Sequence, residues 1–331
     1  EFSINDLLLN SLDAELLLAS NGILNLGGTA TLTSGTMRFN GGRVVGGTID
    51  VGAGSSLEFS SSGGNILDGV QVLGDLNLTG SSATVRLRNG SDVSGMVNLS
   101  GGGRLGLEGD QTVNLTIAST GAQNTQVTLE GTNVSVTLGA GNSITGERMD
   151  IGSAFAIGGT RQLTNDGIVS ADAANVNGVR FNSLASLTNN GVLESMNGGR
   201  LQVLASVQQF DNTGQINVGS GSRFDAASSN WTNTGTISVT DGLFVASGGF
   251  STAGVGLNAG RITGDATSTL SLQAVIDNSG QTLRTDAFGG EMVFAGASLS
   301  GGMLETISGT YRFSSSGNNI LEGVQIMGDL A

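Results

Sequence analysis

A short unit recurs along the chain at intervals of just over twenty residues. Leu163-Thr-Asn-Asp-Gly-Ile-Val169, Leu187-Thr-Asn-Asn-Gly-Val-Leu193, Phe210-Asp-Asn-Thr-Gly-Gln-Ile216, Trp231-Thr-Asn-Thr-Gly-Thr-Ile237 and Leu257-Asn-Ala-Gly-Arg-Ile262 share an apolar residue, an Asn, a Gly and a further apolar position. Their asparagines, Asn165, Asn189, Asn212, Asn233 and Asn258, lie 24, 23, 21 and 25 residues apart, and Asn278 follows 20 later. A period of this length marks a solenoid or array, in which no single unit can bury its own apolar face.

Each unit contains short alternating runs such as Leu201-Gln-Val203, Ile216-Asn-Val218 and Thr236-Ile-Ser-Val239, bounded by Gly, Asn and Ser. Period-two alternation with β-branched residues predicts strands with one buried face. The expected fold is all-β: a right-handed parallel β-helix, a β-solenoid forming a single elongated rod. At ~22 residues per coil and ~4.8 Å between coils, some fifteen coils would make a rod about 70 Å long. The six asparagines are expected to line up at one corner as a structural ladder. Asn and Gly tolerate left-handed backbone at sharp corners, and stacked amides can hydrogen-bond from coil to coil. The absence of proline fits, because interior strands need every N–H for the ladder.

A longer repeat overlies the short one. Phe59-Ser-Ser-Ser-Gly-Gly-Asn-Ile-Leu-Asp-Gly-Val-Gln-Val-Leu-Gly-Asp-Leu76 returns as Phe313-Ser-Ser-Ser-Gly-Asn-Asn-Ile-Leu-Glu-Gly-Val-Gln-Ile-Met-Gly-Asp-Leu330, identical at 14 of 18 positions and offset by 254 residues. Upstream, Phe39 and Gly46-Gly-Thr-Ile-Asp50 match Phe294 and Gly301-Gly-Met-Leu-Glu305 at an offset of 255. Residues 1–331 are therefore expected to form one continuous solenoid, with 1–254 approximating one long unit and 255–331 beginning the next. The chain reads as a mature or excised portion of a longer protein, and its end at Asp329-Leu-Ala331 shows no cap.

Composition removes much chemistry. The chain has no His, Cys or Pro, and all thirteen of its cations are arginines. That leaves no thiolate, no Ser-His-Asp triad, no Schiff-base lysine and no usual zinc or haem ligand set. A net charge of -14 without a basic run disfavours nucleic acid and acidic lipid surfaces. No apolar run reaches the ~18 residues of a membrane helix, so no transmembrane segment is expected. Glycine, 56 residues in all, is more than twice as frequent as the average of ~7%; with 38% hydrophobic and only 12% charged residues this is a folded, turn-punctuated chain rather than a disordered one. Helix has one candidate, Asp6 to Ala19, which reads either as a cap with Asp6 at its N-terminus or as two strands, Leu7–Leu9 and Glu15–Leu18.

The Asn-x-Gly corners and the Phe-Ser-Ser-Ser-x-x-Asn-Ile-Leu-x-Gly-Val unit resemble the β-strand-repeat regions of very large bacterial surface and secreted proteins, as in autotransporter passengers and filamentous-haemagglutinin-type adhesins. The resemblance implies an extracellular or cell-surface β-solenoid with adhesive or scaffolding work. It departs from that group in showing no secretion module, outer-membrane barrel or recognisable binding domain.

The alternative is a carbohydrate-active β-helix enzyme, a polysaccharide lyase or glycoside hydrolase. Glycosidic hydrolysis needs two carboxylates ~5 to 10 Å apart. Asp13/Glu15, Glu108/Asp110 and Glu147/Asp150 are the close pairs, and i, i+2 residues of a strand share a face. No aromatic platform accompanies them, since Trp231 and Tyr311 are the only residues of their kinds. Trp231, at the apolar position of a corner, is expected in the core. A calcium site would need clustered carboxylates, and no Asp-x-Asp occurs. Gly101-Gly-Gly-Arg104 and Gly46-Gly47 read as turns, not phosphate cradles, and Thr29-Ala-Thr31-Leu-Thr33 does not recur coil by coil as an ice-binding array would. No catalytic, cofactor or metal residues are therefore expected. The expected role is a non-catalytic structural or adhesive segment of an extracellular fibre, stalk or surface layer. It would associate end to end with further repeats or copies and could take a cell-surface or polysaccharide ligand.

Overall fold

A computed structural model describes residues 1–308, 311–315, 318–328 and 330. The structure is a parallel β-solenoid of about 15 stacked coils. By contacts the chain divides into two units, Glu1–Leu163 and Thr164–Ala331, a boundary away from the 254-residue sequence period. Ser316 and Gly317 of the second long copy, together with Asp329 and Ala331 of the end expected to lack a cap, lie outside the described residues.

In the first unit, one face is a column of parallel strands: Phe2–Ile4, Ile23–Leu26, Arg43–Val45, Ile66–Asp68, Thr84–Arg88, Arg104–Glu108, Thr125–Glu130 and Met149–Ile151. A second face stacks Leu76–Leu78, Met96–Leu99, Thr116–Ser119 and Ser143–Gly146. The inward positions form lines of like residues. Leu67, Leu87, Leu107 and Leu129 follow one another in register and are fully buried. This is the alternation seen in the sequence, with each coil's apolar face closed by its neighbours.

Residues 7–19 form a strand, Leu7–Ala19, rather than a cap helix. Helix propensity is weak against the edge presented by Thr29–Asn40, whose backbone pairs with both ends of the segment. The register shifts on both sides of Asn10, which pairs with Ser34, and residues 11–14 bulge where the two expected short strands would have been separate.

In the second unit the corresponding columns are Val179–Phe181, Arg200–Val203, Arg223–Ala226, Leu243–Ser251, Thr269–Asp277 and Glu291–Phe294 on one face. Ile168–Ala171, Val192–Ser195, Gln215–Val218, Thr236–Val239 and Ile262–Gly264 stack on another. Ser186–Asn189, Gln209–Asn212 and Trp231–Asn233 form a third. Phe224 and Phe244 stack on successive coils, with ring centroids 5.5 Å apart and planes within 8°. The one helical piece among the described residues is a 3-10 turn, Leu257–Ala259, held between Gly256 and Gly260, both with positive φ.

The two copies of the long repeat fold alike. Phe39 stacks on Phe59 at 4.9 Å and Phe294 on Phe313 at 5.1 Å. The Gly41 N–H donates to Asn65 Oδ1 at 2.6 Å, and the Gly296 N–H to Asn319 Oδ1 at 2.8 Å. Asn65 and Asn319 donate in turn to the carbonyls of Ser60 and Ser314. The turn glycines repeat as well, with φ of 65° and 62° at Gly69 and Gly323.

Candidate functional site

The most organised group of polar side chains is buried, at the corner of the second unit. Asn165 Nδ2 donates to Asn189 Oδ1 at 2.8 Å, Asn189 to Asn212 at 2.6 Å, and Asn212 to Asn233 at 2.6 Å. All four side chains are buried. Each amide has a further acceptor: the carbonyl of the Gly two residues on for the first three (Gly167, Gly191, Gly214), and that of Val255 for Asn233. A buried amide without partners would be costly, so the column is stable only as a whole. Its first member keeps one loose end, since Asn165 Oδ1 is buried without a hydrogen-bond partner among the described residues.

Two parts of the sequence reading need correction. Asn258 does not join the column: it sits exposed in the 3-10 turn Leu257–Ala259, in which Leu257 takes the buried position. Asn278 is buried, but its Oδ1 accepts from the Thr252 hydroxyl at 2.8 Å and its Nδ2 donates to the Met303 carbonyl at 3.2 Å. Neither the four asparagines nor the glycines that follow them adopt positive φ. These glycines are required by close approach instead: a Cβ on Gly191 would stand 2.1 Å from the Gly167 carbonyl oxygen, one on Gly214 2.2 Å from that of Gly191, and one on Gly235 2.0 Å from that of Gly214.

Two of the carboxylate pairs taken from neighbours in sequence, Glu108/Asp110 and Glu147/Asp150, are engaged separately, and in the third Asp13 is exposed. Glu108 faces Arg86 at 2.9 Å and Arg88 at 3.4 Å, whereas Asp110, beyond the left-handed Gly109, accepts the Ser135 N–H. Glu147 accepts the Gly121 N–H and Asp150 the Asn124 amide. Glu15 pairs with Arg38.

Stacking brings together residues that lie a coil apart in sequence, which pairing of near neighbours misses. On the first unit Arg88 bridges Asp68 at 2.6 Å and Glu108 at 3.4 Å, with positions 20 residues apart. Burial by itself would raise the Asp68 carboxyl, but bonds from Arg88 and Asn89 outweigh it and hold the group below the ordinary range. Glu130, fully buried, accepts the N–H groups of Phe155, Ala156 and Ile157 at 2.9, 3.0 and 2.6 Å, fastening that loop to the coil beneath. An open surface groove of about 380 Å³ holds two further carboxylates, Glu58 and Asp75. Glu58 is held by Arg38, and Asp75 accepts the Met96 N–H at 2.8 Å.

Trp231 lies in the core, 2% exposed, with its ring 5.1 Å from Phe250 and 6.1 Å from Phe244. Among the described residues no three Asp or Glu side chains gather into a group able to hold a metal ion, and no helix is long and apolar enough to cross a membrane.

No protein-family model, curated protein or solved structure matches the chain. Buried polar side chains of both units bond from coil to coil.

Proposed function

We propose that this chain is a non-catalytic structural or adhesive segment of a longer bacterial surface or extracellular assembly, a stalk, fibre or layer built from successive solenoid coils. The observation that carries the reading is the duplication. Two stretches 254 residues apart repeat not only a sequence but the same aromatic stack, the same Asn-to-glycine hydrogen bond and the same turn. A unit that reproduces its stacking surfaces can be added repeatedly, and solenoid stability accumulates through such neighbour interfaces. The carboxylates that a glycosidase would use are bound to arginine or backbone N–H groups instead.

Immunogold labelling of producing cells with an antibody to this chain tests the proposal. Label on external fibres or the cell surface is the expected result. Label confined to the cytosol, or cleavage of a polysaccharide panel by the purified chain that is abolished by Glu108→Gln with Asp110→Asn, would overturn it.

A further inference from the structure

The duplication also shows what one exposed edge of the second unit is shaped to receive. In the first copy, the edge formed by Ile66–Asp68 and Gln71–Leu73 is covered by the coil from Thr84 to Leu99: Leu87 registers on Leu67, Arg88 on Asp68 and Val93 on Val72. The covering coil supplies a polar turn, Arg88-Asn-Gly-Ser91. Arg88 and Asn89 each donate to Asp68 at 2.6 Å, while Ser91 Oγ accepts the Val70 N–H at 3.0 Å and donates to the Leu67 carbonyl at 2.9 Å.

The second copy presents the same edge as Ile320–Glu322 and Gln325–Met327, with Gly301 N–H on the Glu322 carbonyl just as Gly46 N–H is on that of Asp68. Here the edge is open. Ile326 is 45% exposed where Val72 is fully buried, and Ile320 is 53% exposed. Glu322, the counterpart of Asp68, has no side-chain partner among the described residues, and the position of Arg43 is taken by Ser298. Any cation for Glu322 must come from whatever covers it.

We propose that the Ile320–Met327 edge recognises a parallel coil of the Thr84–Leu99 type, carrying an arginine in register with Glu322 and an Asn-Gly-Ser turn after it. The proposal rests on the structural reading above and names the partner of that reading's growing edge. Charge decides against the other occupant, the first coil of a second copy. Residues 1–37 contain Glu1, Asp6, Asp13 and Glu15 and no arginine, so that coil would bring acidic side chains and no guanidinium to an edge whose Glu322 has no cation among the described residues. Like charges brought together at an edge disfavour the pairing.

The test extends the full chain from Leu330 with a second Asn77–Ser100 in place of Ala331, and follows amide hydrogen exchange. Exchange at 320–327 is expected to slow to the rate of 66–72 in the same molecule, and an extension bearing Arg88→Glu is expected to lose that protection around Glu322. The proposal is overturned if 320–327 exchanges as fast as in the unextended chain while 192–218 stays slow. It is equally overturned if the unextended chain dimerises with concentration-dependent protection of 320–327 and 2–19, which would make a second copy the occupant. Fast exchange at 192–218 as well would instead overturn the stacked-coil reading on which the proposal stands.

Discussion

Asn189 donates its side-chain amide to Asn212 Oδ1 at 2.6 Å, across 23 residues of sequence and one step of the stack. Both side chains are fully buried. The contact joins two coils through groups that have no access to water, and that gives it a sharp energetic signature.

Replacing Asn212 by Ala leaves the Asn189 donor and the Asn233 acceptor facing a dry gap. Each orphaned group costs about 1 to 3 kcal/mol, so Asn212→Ala is expected to destabilise by roughly 3 kcal/mol. Asn258→Ala, at the exposed position of the same sequence motif, should stay within about 0.5 kcal/mol. Denaturant titration of the two variants checks the contrast, and equal effects would remove the column from the account.

The glycines of this corner should fail differently from turn glycines. A Cβ at Gly214 meets the Gly191 carbonyl at 2.2 Å, whereas one at Gly221 (φ 65°) has nothing within 4 Å. Gly221→Ala therefore carries only the left-handed backbone cost of about 1 to 2 kcal/mol. Gly214→Ala forces the coils apart and is expected to cost about 3 kcal/mol or more. The two melting temperatures, measured side by side, test this order.

The sequence carried the period, the strands and the existence of an asparagine corner, because alternation and spacing are local and survive in the letters. It did not separate Asn258 from the others: an Asn and a Gly near apolar residues look alike whether the Asn faces the interior or sits exposed in a 3-10 turn. Nor did it show why Gly191 and Gly214 are glycine, since a carbonyl one coil away is invisible to local conformational reasoning. Arg88 with Asp68 and Glu108 was legible in principle as opposite charges at coil spacing, but pairing i with i+2 looked along the strand when the neighbours lie across it.

That ion-pair ladder gives a further expectation. Arg88 sits between two carboxylates with side-chain exposures of 10% and 15%. Arg88→Met would remove the cation the two share, leaving Glu108 to Arg86 and Asp68 to Asn89 and the more distant Arg43. The loss is expected to be about 2 kcal/mol, discounted from the 3 to 5 kcal/mol of a fully buried pair because Arg88 is partly solvated. Arg284→Met, on an exposed pair with Asp286, is expected to cost less than about 1 kcal/mol. Parallel denaturant titrations decide between them.

Acid should act on the turns. The Ser268 hydroxyl, the Asp241 N–H and Thr267 hold the Asp265 carboxyl down at about 2, below its ordinary 3.8. The Ser279 contacts lower Asp277 as well. A depressed carboxyl stabilises the fold above its unfolded value and loses that contribution as pH falls through the folded one. Stability from these groups should therefore be level at neutral pH and decline from about pH 4 towards pH 2. Asp265→Asn is expected to be less stable than the parent at pH 7, with the gap closing near pH 2. A gap that persists there would show that the carboxylate charge is not the source.

The central claim is that coils lie in parallel register one step apart, and the lack of cysteine allows it to be tested with a single engineered pair. Glu194 and Asn217 are register partners whose inward neighbours, Leu193 and Ile216, are buried. Stacked strands separated by ~4.8 Å place such a pair within the Cα distance of a disulfide, about 4.4 to 6.8 Å, whereas a diagonal pair falls beyond it. Glu194→Cys with Asn217→Cys should cross-link on mild oxidation, and Glu194→Cys with Gln215→Cys should not. Efficient closure of the diagonal pair, with the register pair left reduced, would contradict the stack.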